Sequence, residues 1–233
     1  MRPDDSDKSS DSDEWDDPSE LDWNEFDWES YLKEQDEVLL RYLGFYAFVS
    51  QSPQRLDEVA KLMGWEQGEW NGSVDDGAPP VQDADLADSD EDDSPQPYTL
   101  HKNPVFIATQ ALFMSLTRPW EVMLSDATHI PASVALPYLS ALYRAQQQSL
   151  HAVQSLDFGD FTLAISHFKR TLSAINQVLA LLPAPNTDLP DFTEFRNDAS
   201  MRLFDLREIC LRVMNECRLE AARPPEADDS DDE

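Results

Sequence analysis

Apolar residues in this chain recur in steps of three and four over six separate stretches, the spacing of a helix with one buried face. The first helix is expected from about Glu34 to Val49, where Leu39, Leu40, Tyr42, Leu43, Tyr46 and Val49 recur. Ser52-Pro53 then has the character of an N-cap and first-turn pair for a short helix, RLDEVAKLMGW, with Gly64 as its stop. A further helix begins near Asn103, with Pro104 suited to its first turn. Its Val105, Phe106, Ala108, Leu112, Phe113 and Leu116 leave almost no polar side, so it should be largely buried, with Pro119 interrupting it.

Three long helices are expected after that. One runs from about Pro131 to Leu156, with Ala135, Tyr138, Leu142, Ala145, Ala152 and Leu156 inward. Asp157-Phe-Gly-Asp160 turns the chain into a second, from about Phe161 to Leu182, whose seam is Phe161, Ala164, Ile165, Phe168, Leu172, Ile175 and Leu179. The third, about Pro190 to Ala222, carries Phe192, Phe195, Ala199, Leu203, Leu206, Cys210, Val213 and Cys217 inward. Long helices joined by short turns pack as antiparallel neighbours. The expected fold is all-α: an antiparallel bundle of about four helices over 98–222, with a small helical unit at 29–65 packed on it.

Charge divides the chain along the same lines. The formal net charge of -30 belongs almost entirely to segments lacking helical periodicity. Residues 1–37 hold sixteen acids against Arg2, Lys8 and Lys33, and residues 66–97 hold eleven acids and no base. The end, 223–233, has six acids against Arg223. Such segments have too little apolar surface to offset chain entropy. The expected organisation is therefore an acidic disordered arm (1–28), an acidic disordered linker (66–97) and an acidic tail (223–233) around a nearly neutral helical body. The first arm interleaves its acids with Trp15, Trp23, Phe26 and Trp28, a pattern found in segments that fold on a partner surface. These four are the candidate partner-binding residues, although the same aromatics could instead dock on the chain's own body.

Two local resemblances bear on function. RLDEVAKLMGW resembles the first helix of a helix-turn-helix, but EQGEWNGSVDDG follows, with two early glycines and only acidic charge. It offers neither a recognition helix nor phosphate contacts, so nucleic acid is not an expected partner. GDFTLAISHF, with its Ala164 and Phe168 step, resembles the second helix of a tetratricopeptide repeat. The helices are too long for that repeat, and no second copy follows at its period.

Chemistry-bearing patterns are sparse. His101, His129, His151 and His167 form no HxxxH or HExxH pair, though His151 and His167 are nearly equidistant from the 157–160 turn and could share one level of the hairpin. No Glu-x-x-His step, nucleophile elbow or phosphate-cradling glycine cluster occurs. Cys210 and Cys217 lie two helical turns apart, about 10 Å, too far to bond to each other and placed on the apolar seam as core thiols. The pairs Asp198–Arg202 and Glu208–Arg212 have the spacing of ion pairs along one helix face. No apolar run reaches the length of a membrane span, and the N-terminus lacks a signal-peptide pattern, so a cytoplasmic location is expected. The expected function is a non-enzymatic protein-interaction or adaptor module acting through its helical surface, without metal or cofactor. The alternative is an acidic chaperone or nucleic-acid mimic that holds a basic partner with its acidic–aromatic arms.

Overall fold

The computed structural model describes residues 23–65, 99–125, 130, 132–182 and 190–223. Among these residues the chain is all helical, with six α-helices: α1 (Glu25–Phe48), α2 (Arg55–Leu62), α3 (Pro104–Ser125), α4 (Ala132–Asp157), α5 (Phe161–Leu181) and α6 (Pro190–Ala221). A short 3-10 turn, Leu100–Lys102, leads into α3 and packs against both α3 and α4. Trp15, the 66–97 linker and the acidic tail beyond Arg223 lie outside the described residues.

The expected four-helix bundle with a satellite is corrected to a six-helix array. Tyr42 and Tyr46 of α1 and Leu56 and Val59 of α2 belong to the same buried cluster as Leu112, Phe113, Leu142, Phe168, Leu203 and Leu206. The physical reason lies in α3. Buried residues occupy it on every side, among them Val105, Ala108, Ala111, Leu112, Phe113 and Leu116, all inaccessible to solvent. A helix of a four-helix bundle keeps one face in water, whereas one that is apolar all round must be covered on all sides. Here α1, α4 and α6 all pack on it.

Two further boundaries differ from the sequence reading. Helix α1 begins at Glu25, about nine residues before the expected start, because Asn24 and Asp27 form a capping box. Helix α3 runs through Pro119 to Ser125. An interior proline costs a helix about 3 kcal/mol, and the segment beyond it is held by burial. Trp120 is 1% exposed and packs on Tyr138, Phe192 and Phe195, with ring centroids 4.1, 6.3 and 5.5 Å away.

The turns conform to local chemistry. Gly159, at φ 72, lets the chain reverse between α4 and α5, and the Asp160 carboxylate accepts from Leu163 N at 2.9 Å to cap α5. Gly64, at φ 79, stops α2. The N-cap expected at Ser52 falls two residues later, at Gln54: α2 starts at Arg55, and the Ser52 hydroxyl accepts from Gln54 N at 3.2 Å and donates to Glu58 at 2.7 Å.

Candidate functional site

The described aromatic candidates gather at the first turns of α1. The Asn24 side chain accepts from Phe26 N at 2.8 Å and Asp27 N at 3.3 Å, while Asp27 accepts from Asn24 N at 2.9 Å. This reciprocal cap satisfies backbone donors that would otherwise fray the helix start. It fixes Trp28 and Tyr31 on one side of α1 and Phe26 on the opposite side, since two residues turn a helix by about 200°.

Trp23 and Trp28 meet edge to face at 5.0 Å and both close over Tyr31, at 5.6 and 6.1 Å. Tyr31 is buried, its hydroxyl bonded to Thr99, and burial raises its pKa. The cluster continues through His101, 5.9 Å from Tyr31, to Phe106 of α3, another 5.1 Å on. Burial depresses the His101 pKa, and its Nδ1 is enclosed without a hydrogen-bond partner. Beside this chain of rings lies a cleft of about 320 Å³ between α1 and α3, lined by Leu32, Leu39, His101, Phe106 and Ile107. Trp28 and Leu32, four residues apart on the same side, are 40% and 45% exposed, and Phe26 is 75% exposed. The structure thus joins Trp23 to Trp28 and leaves Phe26 apart from them. Tyr31 and His101, which complete the cluster, were not among the candidate partner-binding residues; the Asn24-x-x-Asp27 cap is the signal that places the helix start ahead of Tyr31.

The second polar assembly joins three helices in the interior. Asp205 of α6, 5% exposed, accepts from Arg55 of α2 through Nε at 2.6 Å and Nη2 at 2.5 Å. It also accepts from the Tyr46 hydroxyl of α1. Arg202 lies over the Tyr46 ring at 5.8 Å. Two turns further along α6, Arg212 pairs with Asp57 of α2 and with Glu208 at 2.9 Å. The expected pairs along α6 are present, Arg202–Asp198 likewise at 2.9 Å, but the contacts to α2 were not foreseen. Asp205 raises the Arg55 pKa, and burial followed by the hydrogen bond to Asp205 raises that of Tyr46. Such a fully paired network positions helices rather than protons.

The remaining candidates are quickly placed. Cys210 and Cys217 are buried and unbonded, and burial pushes their thiols up to about 12 and about 11, so they stay protonated. His151 and His167 do share one level of the α4–α5 hairpin, with ring centroids 5.3 Å apart. Among the described residues no group of three or more His, Cys, Asp or Glu is placed to hold a metal ion. No helix among them is long and apolar enough to cross a membrane. No family model, curated protein or solved structure matches this chain.

Proposed function

We propose that the protein is a non-enzymatic interaction module that receives an apolar-anchored, basic segment of another protein at the α1–α3 cleft. The observation that carries this reading is the pairing of exposed aromatic surface with acid. Leu32 lines a cleft together with Leu39, Phe106 and Ile107, and Trp28, one turn before it on the same side of α1, is likewise half-exposed. The same stretch, 25–37, holds six acids against Lys33. Aromatic anchors in pockets dominate the energetics of protein interfaces, and a surrounding single-sign charge steers a partner of the opposite sign.

The alternative, an acidic chaperone or nucleic-acid mimic that holds a basic partner through its acidic–aromatic arms, differs in its response to salt. Attraction between exposed charges is screened beyond about 8 Å at physiological ionic strength. The test compares partners captured from lysate, at low and high salt, by the full chain and by a Trp28→Ala/Leu32→Ala variant whose helicity matches it. A partner set lost from the variant and retained by the full chain in high salt is the expected result. Capture that ignores the substitutions and collapses with salt would transfer the function to the acidic segments.

A further inference from the structure

The chain has 47 acids, yet none of them falls in 132–156 or 161–181, which make up almost all of α4 and α5. Arg144, Lys169, Arg170, His151 and His167 do lie there. Burial does not account for the gap. Ser140, Gln147, Gln154, Ser166, Ser173 and Asn176 are exposed positions that would hold a carboxylate in water at no desolvation cost. Neutral hydroxyls and amides occupy them instead.

The bases converge on the outer seam between the two helices. Arg144, Gln148, Arg170, Ser173 and Gln177 line a hollow of about 260 Å³, and the His151–His167 pair continues it toward the turn. Three arginines elsewhere are neutralised within the molecule: Arg55 by Asp205, Arg202 by Asp198 and Arg212 by Asp57. On the seam Arg144 meets only an amide, donating to Gln177 Oε1 at 3.2 Å, and Gln148 Oε1 lies 3.1 Å from His167 Nδ1. No carboxylate among the described residues pairs with Arg144 or Arg170.

We propose that the α4–α5 seam is a recognition surface for a short acidic polypeptide segment, with Arg144 and Arg170 meeting its carboxylates and Gln148 and Gln177 its backbone. Guanidinium–carboxylate contacts are charge-assisted and planar, which suits two arginines flanking a polar hollow. A polynucleotide fits worse: two fixed cations in a molecule of net charge -30 supply too few phosphate contacts. The surface belongs to α4 and α5, whereas the aromatic cleft belongs to α1 and α3, so neither proposal rests on the other.

His167 adds a pH dependence. Facing it are His151 and Arg170, with Gln148 bonded to its Nδ1; on neighbouring helices Glu121 of α3 bonds to Tyr143, and Arg207 of α6 bonds to Asn176. Burial, His151 and Arg170 together lower the His167 pKa, and an acidic ligand opposes the latter two by adding negative charge. Binding should therefore tighten as pH falls through the histidine range.

The test is fluorescence anisotropy of a labelled Asp/Glu decapeptide against the full-length chain at low ionic strength, with a Gly/Ser/Gln decapeptide as control. Saturable binding of the acidic peptide alone is expected, weakened about tenfold or more by Arg144→Gln/Arg170→Gln. His151→Gln/His167→Gln should abolish the tightening between about pH 7.5 and 5.5, and Arg207→Gln on α6 should leave affinity unchanged. Circular dichroism confirms that each variant is folded. Absence of binding to the full chain, or equal binding by the double arginine variant, overturns the proposal. So does a third result, in which the peptide fails to bind but Arg144→Gln/Arg170→Gln exposes 66–97 to protease, because the chain's own acid would then fill the seam.

Discussion

Helices α2 and α6 meet through charge, whereas α4 and α5 meet through small and apolar side chains. At the first junction Asp205 takes three hydrogen bonds from Arg55 and Tyr46, and Asp57 reaches Arg212. At the second, Ala141, Ala145, Ala152, Ala164, Phe168 and Ile175 are almost wholly inaccessible to solvent. The difference lies in how each junction fails. An apolar seam loses stability in proportion to the volume removed. A buried ionic network loses it abruptly, because removing one partner strands the others without water.

The largest effect should come from Asp205→Ala, which leaves Arg55 and the Tyr46 hydroxyl without their acceptor. A loss of about 3–5 kcal/mol is expected in urea unfolding, with amide exchange accelerating in α2 before α4 and α5. Replacing both charges with apolar residues, Asp205→Leu with Arg55→Met, should retain most of the stability. If the pair of changes were as damaging as Asp205→Ala, stranded charge would not be the cause. Tyr46→Phe isolates a single hydrogen bond to a charged acceptor and should cost about 1.5–3 kcal/mol. On the other side of the comparison, Ile175→Val removes one methylene from the α4–α5 seam and should cost about 0.5–1.5 kcal/mol. It should leave exchange in α2 untouched.

The smallest effect concerns Glu216, whose Oε2 is buried without a partner and whose pKa is raised by burial, with Arg212 opposing. An acid raised on folding favours the folded state while protonated and loses that contribution as pH rises through its folded pKa. Glu216→Gln should therefore stabilise at pH 7, by under about 1 kcal/mol given its partial exposure. The gain should vanish near the free carboxyl value of about 4.3, which thermal melts at both pH values would reveal.

The candidate surfaces differ in how far they could be read from sequence. The absence of acid from 132–156 and 161–181 is a property of the sequence itself, and so is the shared level of His151 and His167 about the Asp157–Asp160 turn. Spacing alone did not reveal that Arg144 and Arg170 stand on the outer seam beside Gln177, because that depends on how two helices rotate against each other. At the aromatic cleft, Asn24 and Asp27 were read as part of an acidic arm when their three-residue spacing encodes a helix cap. Asp205 is obscured in the sequence because it lies between the apolar seam positions Leu203, Leu206 and Cys210. Ile209, buried four residues after Asp205, marks a second buried row on α6.

The sequence by itself determined the all-helical class, the hairpin turn at Gly159 and the buried cysteines. Each of these follows from local periodicity, backbone preference or composition, which act over a few neighbouring residues. Only the tertiary structure decided that α1 and α2 share the core with α3, that α3 continues through Pro119, and that Asp205 is buried against Arg55. Those outcomes pair residues that lie distant in the chain, and the packing energy of Trp120 or the salt bridge of Asp205 exists only once the helices are side by side.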